Sequence, residues 1–499
     1  EPMALAEKIA SVAEVGDTAL QSDFLGRYGQ AYLQTERPDN GRAIWVHYGY
    51  GKGHSHRDCL NLGLHAKNID MLPDLGYPEY TGNWPKRGAW TSNTISHNTL
   101  LVGDSRSEYS PGGKLGLFCV QPPLRVLEAS SKTAYADLER YHRTVALVDV
   151  SEEDSYVFDV FRAAGGANHR LSWHGPGSEA VIDGVGMVRQ PTGTFAGPDV
   201  EFACLEGERA DFYRTSGFTY LYDVERSTDV VSGAYTVDWR GEDLRGRIKP
   251  GHEPHLRLHS ASGCDELALA SGQPPQNKAG NPKSLRYLIQ SRLGSELRSQ
   301  FVNVLEPYDG APFIRAVRSL AVEHDAEPGT VCAVAVELAD GRTDVLVSCL
   351  EPTAVRVEGG IEQDGKLCMV RLLGTQVQSM RLVQGTRLSF GQIELLADRA
   401  AYTGQVKAVD VSDPLDNRVS LDPPLPADAP LVGQAIHFGT ELPLDTSYRI
   451  AALTPEGVST GDITVVAGYN DAGDFASGLK YVVNPGDAYR VPCIVGLDR

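Results

Sequence analysis

Two imidazoles, His54 and His56, stand two residues apart in Gly51-Lys52-Gly53-His54-Ser55-His56-Arg57-Asp58. Asp74 follows in Pro73-Asp74-Leu75-Gly76-Tyr77, and His97 in Ser96-His97-Asn98-Thr99. Imidazole and carboxylate together bind a zinc-type ion, and a spare imidazole beside the ion works as an acid or base. Residues i and i+2 of an extended segment share a face, so His54 and His56 can look into one cleft, with Asp58 beyond. Spacing alone leaves the alternative open that these histidines only satisfy backbone carbonyls.

The surroundings add a second kind of chemistry. Lys52, Arg57, Lys86, Arg87 and Arg106 make this stretch basic, although the whole chain has a formal net charge of −19. Tyr48, Tyr50, Tyr77, Tyr80, Trp84 and Trp90 interleave with them. Cations beside flat aromatic faces suit an anionic sugar polymer, with its carboxylates paired to Arg or Lys and its rings stacked. The competing reading makes Trp84 and Trp90 core residues beneath a loop. The acidic balance argues against nucleic acid as partner, because phosphate binding needs a basic surface.

These residues need a scaffold, and the chain predicts one made mostly of β-structure. Its 499 residues exceed one ordinary domain, and 41% hydrophobic with 22% charged residues fits a globular protein. The 52 glycines and 29 prolines fit many turns between short strands. No apolar run reaches the roughly 18 residues of a membrane span. Eight scattered cysteines without a C-x-x-C pair read as mostly buried free thiols. The sequence starts at Glu1, without initiator methionine or signal peptide, which fits processing or a place in a longer protein.

Leu5, Ile9, Val12 and Val15, then Phe24, Leu25, Tyr28, Tyr32 and Leu33, fall at helical spacing, so residues 1–40 are expected to be helical. From Ala43 the period changes to two. Strands are expected at Ile44–Tyr48, Asn61–Ala66 and Thr99–Val102. A hairpin is expected from Thr144–Val150 and Tyr156–Phe161 around the acidic turn 151–154. Residues 41–405 then form one large antiparallel multi-sheet β-sandwich domain, with an exposed loop at 270–284. The proline-rich stretch Asp410–Ala429 reads as a loop or linker into a last β-unit, and residues 406–499 as a smaller C-terminal β-domain.

Three of these segments resemble a known family. Residues 51–62, Leu72 to Tyr77 and Thr94 to Val102 are similar to the central β-domain signature of the heparinase II/III-like polysaccharide lyases. Tyr141 to Val145 and Asp159 to Gly175 resemble that domain's next strands. The resemblance is specific over about residues 43–175 and weaker to about 400. It implies an N-terminal (α/α) toroid followed by β-domains, with residues 1–40 as a candidate toroid tail. It also implies β-elimination at a uronic acid: a base removes the C5 proton and an acid protonates the leaving C4 oxygen.

By this resemblance His54 faces the cleft as an acid/base or positioning group, and Tyr80 is a proton donor or sugar contact. His56, Asp74 and His97 match the family's ligands for a structural zinc. Arg57, Lys86, Arg87 and Trp84 are the expected substrate contacts. Asp58 is expected to orient a histidine or cap the loop, and Asn61 and Asn98 to bond backbone. The resemblance further implies a secreted or periplasmic protein acting on an acidic polysaccharide. Heparan-type glycans, alginate, hyaluronan and exopolysaccharides all stay open, as does a homodimer. The family's toroid carries further catalytic groups that have no counterpart here, so this chain alone is expected to be inactive. Two alternatives stand beside the lyase: a uronyl C5-epimerase, and a non-catalytic glycan-binding β-protein with a structural zinc.

Overall fold

The computed structural model describes residues 21–36, 40–49, 55–77, 86–109, 112–136, 138–204, 216–242, 246–276, 281–440, 442 and 444–499. A five-stranded antiparallel sheet runs in chain order through Asp23–Leu25, Gln30–Gln34, Ala43–His47, Asn61–Ala66 and Ile69–Asp70. An eight-stranded sheet is built around the hairpin Arg140–Asp149 and Ser155–Ala164, flanked by Leu124–Ser130 and Arg298–Asp309. A six-stranded sheet contains Leu100–Val102, Ala167–His174, Leu285–Ser295 and Glu266–Gly272. Side chains of all three meet in one core that includes Ile44, Phe118, Phe161, Trp173 and Leu288.

The other face of the eight-stranded sheet packs on a second six-stranded sheet, through Val126, Val148, Phe158, Val336 and Leu346. Burial on both faces explains why every residue of Ser155–Ala164 is buried and why that strand, apart from Ser155, Asp159 and Arg162, is apolar without alternation. A last seven-stranded sheet includes Ala401–Asp410, Asn417–Asp422 and Ala488–Pro492. The final strand, Ile494–Asp498, returns to pair with Gln376–Val383.

The protein is thus mostly β, as its turn-rich composition and period-two segments predict, and the hairpin expected over 144–161 forms, with Ser155 opposite Asp149. Residues 1–20 lie outside the described residues. The second helical stripe is corrected: Phe24 lies in the strand Asp23–Leu25, and Tyr32 and Leu33 in Gln30–Gln34. Ala31 and Leu33 are buried while Gln30, Tyr32 and Gln34 are half-buried, a period of two. The turn between the strands mimics helical spacing across the pair. Gly29 sits in it at φ +81°, where a Cβ would lie 1.9 Å from Gly49 Cα.

The linker reading of 410–429 is also corrected, since Asn417–Asp422 is a strand whose flanking prolines stay outside it. The loop expected to be exposed at 270–284 begins inside the strand Glu266–Gly272, and Pro274, Pro275 and Pro282 are buried. All eight cysteines are free, and five of them are buried.

One contact between the first and last sheets carries a pH prediction. Tyr48 donates its hydroxyl to Asp445 Oδ2 at 3.1 Å, and Ser447 donates to Oδ1 at 2.8 Å. Burial pushes the Asp445 carboxyl up to about 7, and the bonds from Ser447 and Tyr48 offset only part of that. A raised folded-state value favours the neutral acid. Its contribution is therefore full below the unfolded value near 4 and is lost as pH rises through about 7. Between about pH 4.5 and pH 8 the loss is about 3 kcal/mol. Asp445→Asn is expected to remove that part of the slope in chemical denaturation at the two pH values. An unchanged slope would contradict the assignment.

Candidate metal centre

Three loops converge at one end of the five-stranded sheet. Ser55–Leu60 leads into Asn61–Ala66, Met71–Tyr77 leaves Ile69–Asp70, and a tight turn over Thr94–Ser96 precedes Leu100–Val102. They bring together His56, Asp74 and His97, whose ligand atoms all lie within 4.8 Å of one another. His56 Nδ1 is 3.0 Å from His97 Nε2. His97 Nε2 is 3.1 Å from Asp74 Oδ2, and His56 Nδ1 is 3.6 Å from Asp74 Oδ1. Donors about 2.0–2.1 Å from a tetrahedral zinc stand about 3.3 Å apart, so the three separations bracket the required one.

The orientation of His97 is set from behind. Its Nδ1 donates to the Asn93 carbonyl at 2.7 Å, so Nδ1 carries a proton and Nε2 is the atom turned to Asp74. His97 is buried, whereas the Asp74 side chain is 41% exposed and opens the cluster to one side. Burial opposes the charge on Asp74, but the charge of His97 and hydrogen bonds from His56 and His97 outweigh it and hold its carboxyl well below the usual range. Burial would lower His97, yet the Asp74 charge raises it above the ordinary imidazole value. Two imidazoles and a carboxylate converging in this way are the donor types that a divalent cation takes.

Beneath the loops lies a buried polar frame. Arg143 donates from Nε to Asp159 Oδ1 at 2.6 Å and from Nη1 to the carbonyls of Leu60 and Asn98, at 2.7 and 2.6 Å. It thereby ties the loop after His56 to the loop after His97. Asn61 Oδ1 accepts from the Asn98 amide at 2.9 Å, and Asn98 Oδ1 from the His174 amide at 2.9 Å, so both asparagines bond backbone. Tyr141 donates to the Leu100 carbonyl at 2.7 Å. His174 Nε2 reaches the Pro73 carbonyl, and burial pushes its imidazole down to about 4. Asp58 orients a histidine, namely His47, with Oδ2 3.1 Å from Nδ1. Burial opposes its charge too, but His47 holds the Asp58 carboxyl down at about 2.

His54, Tyr80 and Trp84, with Lys52 and Tyr50, lie outside the described residues. The remaining cations are spread around the cluster. Arg87 lies over the Tyr77 ring at 4.9 Å, and that ring is 6.1 Å from the His56 ring. Arg57 donates to the Ser107 carbonyl at 2.5 Å and lies over Tyr109 at 5.6 Å. Lys86 Nζ is 3.5 Å from Gln273 Oε1. Trp90 is a core residue, stacked on Tyr220 and bonded to the Gln273 carbonyl at 2.8 Å. Sequence reasoning missed Asn93, which acts through its backbone and leaves no side-chain signal. It also gave no role to Arg143 and Asp159, although a lone charge inside an apolar strand such as Tyr156-Val157-Phe158-Asp159-Val160-Phe161 signals a buried partner.

The family model described as "Heparinase II/III-like, C-terminal" matches residues 42–236, a span that contains the whole cluster and the Arg143 frame. A search of curated proteins finds no match. Among solved structures the chain is similar to the heparan sulfate lyase HepC of Pedobacter heparinus, at 15% identity and TM-score 0.44, covering 69% of this chain and 45% of that one. A structure titled "Heparinase III-BT4657 gene product" aligns at 14% identity and TM-score 0.46, again over 69% and 45%. The chain therefore spans less than half the length of these solved proteins.

Proposed function

We propose that this chain, whose residues 42–236 match the heparinase II/III-like C-terminal family model, is the β-sandwich part of a polysaccharide lyase that cleaves a uronic-acid-containing acidic glycan by β-elimination. The convergence of His56, Asp74 and His97 within the matched span is the observation that carries the reading. These three residues would hold a zinc ion. When bound, zinc supplies a fixed dication that ties their three loops together.

The proton transfers fall to side chains of the same segment. His54 removes or returns a proton at the reacting sugar, and Tyr80 serves the C4 oxygen. Arg57, Lys86, Arg87 and Trp84 hold the polymer, the cations offsetting its carboxylates and lowering the cost of the enolate-like intermediate. Further catalytic groups on a toroid, and a secreted or periplasmic location, belong to the same reading. Among the described residues no helix is long and apolar enough to cross a membrane.

The test is ultraviolet absorbance of the unsaturated uronate, with heparan-type glycan, hyaluronan and alginate as probes. It is run on residues 1–499 and on the complete product of the gene. Turnover is expected in the latter, and His54→Ala is expected to cut it about a hundredfold or more while the melting curve is unchanged. Exchange of the C5 proton without absorbance would replace the lyase by an epimerase. Binding with neither signal would leave a non-catalytic glycan-binding protein.

A further inference from the structure

Beside the metal centre lies a cleft of about 510 Å³ whose lining reaches from Pro73–Tyr77 to Pro274, Pro275 and Pro282. Trp45 also lines it. This residue faces Gly63 across the sheet, and a Cβ on Gly63 would lie 2.0 Å from Trp45 Cε2. The indole thus covers bare backbone and forms a broad apolar surface on the cleft wall, held by the sheet beneath it. Proline is stiff, so the opposite wall is pre-formed as well.

Polar groups of defined state surround this surface. His65 pairs with Asp70 across the same sheet, and both line the cleft with Arg247 and Glu242. Burial and the Arg247 charge lower the His65 imidazole, which keeps it neutral and able both to donate and to accept. Glu242 is fixed by Ser178, whose amide and hydroxyl both bond its Oε1. An apolar plane with hydrogen-bonding groups at its rim matches a pyranose ring, which has an apolar C–H face and a hydroxyl edge. With Asp74 turned to His56 and His97, Asp70 and Glu242 outnumber the single guanidinium of the lining. That balance disfavours a second carboxylate or a sulfate here.

We propose that this cleft is a subsite for an uncharged or amino-bearing sugar, the neighbour of the reacting uronate, with Trp45 as its stacking platform. The cleft joins the centre through Asp74 and Tyr77, which line it while Asp74 belongs to the ligand set and Tyr77 packs by His56. The word "reacting" rests on the lyase reading; the preference for the sugar does not.

Saturation-transfer NMR tests it, with a tetrasaccharide of alternating glucuronate and N-acetylglucosamine as probe and the zinc-loaded 499-residue chain as receptor. The hexosamine ring is expected to receive more saturation than the uronate. That signal is expected to fall about fivefold or more in Trp45→Leu, the scale of one lost ring stack. Asp70→Asn changes an exposed side chain, and it decides the matter if Trp45→Leu melts early: its hexosamine signal is expected to shift and weaken. Hexosamine signals unchanged in a stable Trp45→Leu protein, or unchanged in Asp70→Asn, would overturn the proposal, as would saturation confined to the uronate. If no unsaturated uronate forms while the Trp45-dependent signal persists, the lyase reading falls and the subsite stands. Turnover together with a signal indifferent to Trp45 gives the reverse.

Discussion

His97→Ala is expected to abolish zinc retention and, with it, about 4 kcal/mol of stability. The figure follows from linkage: a ligand held at about a thousand times its dissociation constant stabilises the folded state by about 4 kcal/mol. His97 is the most constrained of the three donors. It is buried, its Nδ1 proton is committed to the Asn93 carbonyl, and its Nε2 lies 3.1 Å from Asp74 Oδ2. Its removal costs the ion a donor and leaves Asp74 with the His56 imidazole and the Gly76 amide. The check is metal content by plasma emission together with thermal unfolding, each with and without chelator. Chelation should lower the melting temperature of the parent and leave that of the variant where it is. A parent that carries no zinc, or that melts identically after chelation, would remove the metal from the account of this site.

Arg143→Met should destabilise the protein by about 3–5 kcal/mol and weaken metal binding, although Arg143 touches no ligand side chain. Arg143 and Asp159 are both fully buried and pair at 2.6 Å. Deleting one partner of such a pair leaves an uncompensated charge in a low-dielectric interior, and that penalty dominates the effect. Burial already raises the Asp159 carboxyl against the pull of Arg143, so the residue has no reserve of solvation. The double variant Arg143→Met, Asp159→Leu separates the two roles. It should regain most of the stability, because no lone charge remains. It should not regain metal affinity, because the carbonyls of Leu60 and Asn98 still lack their donor. Zinc competition against a chromogenic chelator reads the affinity, and urea unfolding reads the stability. Full recovery of both in the double variant would show that the arginine does not position the loops.

The strands were legible where burial alternates or saturates. Thr144–Val150 and Tyr156–Phe161 show it best, because two mainly apolar runs, each carrying one aspartate, on either side of an acidic turn have few other solutions. Phe24 to Leu33 failed for a definite reason. A tight turn between two short strands resets the phase of the pattern, so apolar residues at 24, 25, 28, 32 and 33 imitate a helix. The half-buried state of Gln30, Tyr32 and Gln34 is a product of sheet packing and has no local signal.

At the centre, residue types raised His54, His56, Asp74 and His97 together as donors, and the family resemblance, not spacing, set His56, Asp74 and His97 apart from His54. What brings these three within 4.8 Å leaves no trace in residue type. The Asn93 carbonyl that orients His97 is backbone. Arg143 and Asp159 meet across a hairpin and then reach loops more than 40 residues upstream. The cleft at Trp45 depends on Gly63 lying opposite it, a matter of strand register, and on prolines from a turn some 230 residues away in sequence. The sequence by itself therefore determined which side chains are fit to bind a cation and that strands carry them. Tertiary structure decided their orientation, their charge state and the cleft beside them, because hydrogen bonding and burial depend on neighbours in space, and periodicity reports only neighbours along the chain.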